Sequence, residues 1–149
     1  MDKSEKKKIL LSNRKARFEY EILETYEAGI SLLGTEVKSL RQANANFLDS
    51  YARIKNNEIF VMNLNISEYK YGNIQNHEPT RVRRLLMKKQ EIKKLEAKML
   101  EKGLTVVPLT FYLKNGKIKL EIGLCRGKKL YDKRETIKKR DIERSMDGY

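Results

Sequence analysis

Thr80-Arg81-Val82-Arg83-Arg84-Leu85-Leu86-Met87-Lys88-Lys89-Gln90-Glu91-Ile92-Lys93-Lys94-Leu95-Glu96-Ala97-Lys98-Met99-Leu100-Glu101-Lys102 is the stretch on which the reading of the chain turns. At 100° per residue, Val82, Leu85, Ile92, Leu95 and Met99 share one face, with Leu86 and Leu100 on its flank. Arg83, Arg84, Lys94 and Lys98 lie mostly opposite. Thr80 follows Pro79 and suits a helix cap, and Gly103 suits a helix end. The spacing therefore predicts one long helix over 80–102, roughly 34 Å in length. Its apolar stripe reads as core. Any function on it falls to the basic face and the Leu86 edge.

Outward from that helix, the other well-patterned segments are mostly strands. Residues 104–113 are a β-branched and aromatic run, and Pro108 marks an edge or a bulge in it. Lys114-Asn115-Gly116 turns that run into 117–125, where Ile118, Leu120, Ile122 and Leu124 alternate with Lys117, Lys119, Glu121 and Gly123. Upstream, 49–55 and 58–65 form a hairpin across Asn56-Asn57, since Asn tolerates positive φ. Phe18, Tyr20 and Ile22 alternate with Glu19 and Glu21, which predicts a strand to about Tyr26. Gly29 reads as the following turn and 30–33 as the return strand. Thr35 caps a short helix over 36–42, with Val37 and Leu40 facing inward. Residues 44–47 read as a loop and 66–79 as a polar connection. The sum is a mainly β fold with embedded helices. About six strands with a helix before the final hairpin outline a small OB-like closed β-barrel.

Charge divides the chain further. The net charge of +13 falls as +5 on residues 1–17, +6 on 80–102 and +4 on 126–149, which leaves the rest at −2. The organisation that follows is a basic, mobile segment at 1–12, a barrel domain at 13–126, and a flexible basic tail at 127–149. The tail is expected to be disordered alone and helical on a partner. Cations gathered on the ends and the long helix are a footprint for phosphate, because neutralising a polyanion releases its counterions. Neither an amphipathic apolar face nor a lipidation motif accompanies the basic ends, which argues against a membrane partner.

Other chemistries find little support. No apolar run is long enough to span a bilayer, and Ile9-Leu10-Leu11 is too short for the core of a signal peptide. The single cysteine, Cys125, excludes an internal disulfide and fits a reducing cytoplasm. One Cys and one His, His77, are too few for a tetrahedral zinc site. No nucleophile elbow, P-loop or dinucleotide fingerprint is present, so neither an enzyme nor a cofactor is expected. His77-Glu78-Pro79 reads as a turn or an RNA contact. Tyr51, Tyr69, Tyr71, Phe111 and Tyr112 can stack on bases, with core packing the commoner use.

Two constellations remain. Asn13-Arg14-Lys15-Ala16-Arg17 comes with Glu27, a carboxylate that serves an RNA binder only by accepting from a base or 2′-OH, or by holding a cation in place. A surface ion pair is the alternative. Gly127-Lys128-Lys129-Leu130-Tyr131-Asp132-Lys133-Arg134 has the spaced cations of a tail that follows a phosphate-lined groove, or of a solvated tail.

At these residues the chain resembles the SmpB family of SsrA-binding proteins. The resemblance rests on Asn13-Arg14-Lys15-Ala16-Arg17, Tyr26-Glu27-Ala28-Gly29-Ile30, Gly34-Thr35-Glu36-Val37-Lys38-Ser39-Leu40-Arg41 and Asp49-Ser50-Tyr51. Pro79-Thr80-Arg81 with Arg84-Leu85-Leu86, and Gly127-Lys128-Lys129 with Asp132-Lys133-Arg134, complete it in order. It implies an OB-like barrel and binding to the tRNA-like domain of transfer-messenger RNA. It also implies delivery to stalled ribosomes by elongation factor Tu through the charged RNA. The RNA-contact positions it implies are Asn13, Glu27, Leu86 and Lys119, to which the basic run beside Glu27 adds Arg14, Lys15 and Arg17 as candidate RNA-binding residues. Gly127, Lys128, Lys129, Asp132, Lys133 and Arg134 are the implied tail determinants, which probe the empty mRNA channel at the small-subunit decoding region. Phe18 and Tyr131 replace histidines common in the family.

The expectation is a monomeric, non-enzymatic, cytoplasmic factor that binds RNA and not DNA. A structural ribosomal protein, an RNA-modifying enzyme and a general single-strand binder are the rival classes.

Overall fold

The computed structural model describes residues 7–71 and 75–127. Nine strands and three helices follow one another as β1 (Lys7–Ser12), α1 (Arg14–Glu19), β2 (Glu21–Ile30), α2 (Gly34–Arg41), β3 (Ala45–Asn46), β4 (Tyr51–Lys55), β5 (Glu58–Met62), β6 (Asn65–Ile66), β7 (Arg83–Leu86), α3 (Lys89–Lys102), β8 (Thr105–Lys114) and β9 (Lys117–Arg126). The chain is mainly β, as expected. Seven strands form one antiparallel sheet in the order β1-β8-β9-β2-β7-β5-β4, and β3 and β6 pair separately. No ladder joins β1 to β4 among the described residues, so in its hydrogen bonding the sheet is open where a closed barrel of six strands was expected. It curls enough to bring β4 against β8. A large core, containing Leu40, Ile59, Val61, Leu85, Leu95, Phe111, Leu120 and Ile122, fills the concave side, and Ala16, Val107, Leu109 and Cys125 form a smaller cluster with Tyr20 and Ile22.

The two hairpins form where turn chemistry placed them. Asn56 and Asn57 both adopt positive φ between β4 and β5, and Asn115 and Gly116 do so between β8 and β9. Positive φ at both central residues gives the turn whose twist matches the flanking strands. Pro108 sits at a register shift of the β8–β9 ladder, the bulge its missing N–H requires.

The long helix is shorter than its pattern. α3 begins at Lys89 and ends, as expected, on Gly103 in the left-handed conformation with φ 64°. Residues 83–86 are strand β7, paired with β2 on one side and β5 on the other. Along β7 burial alternates, with Arg83 and Leu85 inside and Arg84 and Leu86 outside. Arg83 is thus fully buried, where the helical reading put it in solvent. Two ladders of backbone hydrogen bonds outweigh helical propensity here, and they need a partner inside for Arg83.

That partner is Glu36, also fully buried, at the start of α2. The Glu36 carboxylate accepts from the Leu33 N–H at 2.7 Å, from Arg81 Nη2 at 2.7 Å and Nε at 3.1 Å, and from Arg83 Nε at 2.8 Å. Arg83 also donates to the carbonyls of Leu64 at 2.7 Å and Pro79 at 2.9 Å. Burial pushes the Glu36 carboxyl up, but the Arg81 and Leu33 hydrogen bonds and the Arg83 charge outweigh it and hold the group below the usual carboxylate range. His77 ties the same region. It is buried, its Nε2 donates to the Ile66 carbonyl at 2.7 Å, and its Nδ1 accepts from the Thr35 hydroxyl at 2.8 Å. Both ring nitrogens are spent on structure, which removes His77 as an RNA contact.

Three more expectations are corrected. Residues 7–12, read as part of a mobile lead-in, pair with β8 as an edge strand, because β8 otherwise offers an unpaired edge. Residues 14–19 are helical where alternation suggested strand, since Asn13 caps them and only Ala16 is buried. Gly29 is no turn. It lies inside β2, between Leu86 of β7 and Lys119 of β9. A Cβ there would stand 3.2 Å from the Leu86 Cβ, so glycine allows the close approach.

Candidate nucleic-acid interface

Antiparallel partners share a face of a sheet. One row across the convex side therefore runs Leu86, Gly29, Lys119, Tyr112, Ile9 through β7, β2, β9, β8 and β1. The next row holds Glu27, Glu121, Thr110 and Ser12. Arg17 reaches this face from α1, with Nη2 donating to Thr110 Oγ1 at 2.8 Å and to Glu121 Oε1 at 3.1 Å. The fold thus gathers Arg17, Glu27, Leu86 and Lys119 on one surface, although they are spread over four elements and more than a hundred residues of chain.

Glu27 is the electrostatic centre of that surface. The Tyr112 hydroxyl donates a short hydrogen bond to its carboxylate, and Lys114 Nζ lies 3.3 Å away. The Tyr112 hydrogen bond, backed by the charges of Lys114 and Lys119, holds Glu27 below the usual carboxylate range. Burial, reinforced by Glu27, raises the Tyr112 phenol. Tyr112 therefore stays protonated and donating, and Lys7 stands over its ring at 4.8 Å. The carboxylate keeps acceptor capacity free, with its side chain 38% exposed. It can take an N–H or 2′-OH from RNA while the lysines around it cancel its repulsion of phosphate.

Leu86 is 52% exposed and lies over Gly29. With Gly29, Lys119, Lys117 and Arg41 it lines a concavity of about 430 Å³. An apolar side chain beside three cations suits a ribose or base edge flanked by phosphate.

Asn13 takes another part. It is buried, its Oδ1 accepts from the Ala16 N–H at 3.1 Å, and its Nδ2 donates to the Pro108 carbonyl at 2.8 Å. Its side chain fixes α1, which carries Arg14, Lys15 and Arg17. Arg14 is exposed, and Lys15 pairs with Asp49 at 3.1 Å beside a second concavity of about 410 Å³. Lys15 is thus not brought to the Glu27 cluster. Gly127 is the last described residue. Lys128, Lys129, Asp132, Lys133 and Arg134 lie outside the described residues, as does Tyr131. Tyr112 and Lys114 went unnoticed as partners of Glu27. Their outward parity in the strand 104–113 and its turn was the available signal.

Among the described residues no cluster of His, Cys, Asp or Glu is placed to hold a metal, and no helix is long and apolar enough to cross a membrane. Cys125 is buried, and burial pushes its thiol up to about 11, away from reactive thiolate.

Comparison with known proteins follows this geometry. A family model described as SmpB protein matches residues 10–148. An SsrA-binding protein of Thermosipho africanus is 54% identical over 143 residues, 95% of this chain and 96% of that one. One from Trichodesmium erythraeum is 57% identical over 143 residues, 95% of this chain and 92% of that one. A chain of the solved structure "tmRNA-SmpB: a journey to the center of the bacterial ribosome" superposes with a TM-score of 0.71 at 50% identity, covering 90% of this chain and 94% of its own. A match running through nearly the whole length of both partners places this chain in the SmpB family.

Proposed function

We propose that this protein binds the tRNA-like domain of transfer-messenger RNA and takes it to stalled ribosomes for trans-translation, as a binding factor without catalytic chemistry. The observation that carries the reading is the convergence of Arg17, Glu27, Leu86 and Lys119 on one convex face, with Tyr112 and Lys114 holding the carboxylate. Its relatives are named SsrA-binding proteins, and its structural neighbour is described with tmRNA and the ribosome, which supports the same partners. The curl that sets β4 against β8 supports an OB-like barrel at 13–126. The protein acts as a cytoplasmic monomer. Elongation factor Tu joins it through the charged RNA.

Labour is divided. The convex face and α1 hold the folded RNA. The basic segment 127–149, with Gly127, Lys128, Lys129, Asp132, Lys133 and Arg134, enters the vacant mRNA channel near the decoding region and folds there. The test replaces Asp132, Lys133 and Arg134 together by Ala. Affinity for the isolated RNA should hold while peptide tagging stops. A large loss of that affinity would overturn the division.

A further inference from the structure

Away from the convex face, two tyrosines stand together without core to bury them. Tyr69 and Tyr71 meet edge to face, with ring centroids 5.6 Å apart, and Tyr71 is 69% exposed. Lys38 of α2 reaches over the Tyr69 ring at 5.6 Å, and Lys70 stands 5.7 Å from the Tyr71 ring. With Glu68 and Asn76 these residues line an open concavity of about 740 Å³, separate from those already described.

The backbone beneath Tyr69 is held. Asn76 Oδ1 accepts from the Tyr69 N–H at 3.0 Å and its Nδ2 donates to the Tyr69 carbonyl at 2.8 Å, as a neighbouring strand would. The base of the loop is pinned by His77 between Thr35 and Ile66. The Tyr69 ring is therefore presented from a held backbone with Tyr71 against its edge, which lowers the entropy lost when something stacks there. Aromatic faces interleaved with lysines match an unpaired base flanked by its phosphates. A lone carboxylate, Glu68, leaves the cluster cationic. Continuity points the same way. Val37 and Arg41 of α2 line the concavity that contains Leu86 and Lys119, while Lys38 of the same helix covers Tyr69. Lys38 and Arg41, three residues apart, are neighbours on that helix, so the two surfaces share its exposed side.

We propose that Tyr69 and Tyr71, with Lys38 and Lys70, form a stacking site for an unpaired nucleotide of the RNA that the convex face holds. The inference rests on the function proposed above, and its test separates the two. Tyr71→Ala, Tyr71→Phe, Lys38→Ala and Lys119→Ala are each titrated with the transcribed tRNA-like domain across a salt series. Tyr71→Ala should weaken binding about tenfold with an unchanged salt slope, since base–aromatic stacking is worth about 1–3 kcal/mol. Tyr71→Phe should bind like the unmodified protein, because stacking needs only the ring. Lys38→Ala should flatten the logarithmic salt slope by about 0.7–0.9, one phosphate's worth. Chemical footprinting of the bound RNA should show one unpaired base losing protection in Tyr71→Ala. If Lys119→Ala weakens binding while Tyr71→Ala and Lys38→Ala do nothing, the stacking site is refuted and the convex face stands. A defect of Tyr71→Ala confined to ribosomes also refutes it, since the bound RNA is then not the occupant. If Lys119→Ala is silent as well, the convex face is not the docking surface, and if the unmodified protein does not bind this RNA the proposed function itself fails.

Discussion

Two carboxylates in this protein are each surrounded by cations and put to opposite uses. Glu36 has no exposed surface and meets the fully buried Arg83 and the partly covered Arg81. Glu27 stands on the convex face among Tyr112, Lys114 and Lys119. The Glu36 carboxylate takes its hydrogen bonds from the chain itself, so that cluster specifies a fold. On the surface capacity is left over, and it specifies a ligand. Arginine serves the first site because its flat fork meets Glu36 and two carbonyls at once. Lysine serves the second as a mobile charge that a phosphate can recruit.

Breaking the interior pair should have the largest effect. Arg83→Ala leaves Glu36 buried without one of its two arginines, and removing one member of such a pair costs about 3–5 kcal/mol. That is much of the roughly 5–15 kcal/mol that holds a domain together. A denaturant titration should show the midpoint collapsing, whereas Arg84→Ala, whose Glu58 contact is half exposed, should move it by under about 1 kcal/mol.

Acid should reach the same weakness. Glu36 has its folded pKa below the unfolded value of about 4.3, so the unfolded chain binds the extra proton. Its contribution is complete above that value and is lost as pH falls through the lower folded one. Thermal melts from pH 6 down to 3 should show this loss in the unmodified protein and a flatter profile in Glu36→Gln, from a lower start.

The surface cluster should answer differently. Glu27→Ala should weaken RNA binding about tenfold although it removes a negative charge, and should leave the melting midpoint nearly unchanged. Equal or tighter binding would show that Glu27 only holds Lys114 and Tyr112 in place. Lys119→Ala should cost a few-fold in affinity and flatten the logarithmic salt slope by about 0.7–0.9. Leu86→Ala should make the smallest change, a loss of affinity with the salt slope intact.

The same contrast explains what could be read in the sequence. Both hairpins were legible because Asn56-Asn57 and Asn115-Gly116 encode their turns locally. Strand β7 was not, because Arg83 occupies an inward position where alternation calls for an apolar residue, and Glu36, its reason for being there, lies 47 residues away. The broken alternation left a helical phase to be seen. Gly29 misled as a turn because a close approach and a bend use glycine for the same freedom. Of the candidate site, the basic run beside Glu27 supplied Arg17, family resemblance supplied Glu27, Leu86 and Lys119, and the fold joins them on one face. It also supplied Asn13, whose buried cap emerges only once Pro108 is known to face it.

That last contact ties two distant parts of the gene together. Proline at 108 gives β8 an irregular step, and the carbonyls of Pro108 and Leu109 there receive the Asn13 amide and the Asn13 N–H. The ladder's fault is the mooring for the helix that carries Arg17. A single codon inserted between Leu109 and Thr110 would separate that mooring from Thr110 and Glu121 and so carry Arg17 off them. Descendants of such an insertion would recover only by a matching change around Asn13–Arg17, so these two distant segments are bound to evolve in step.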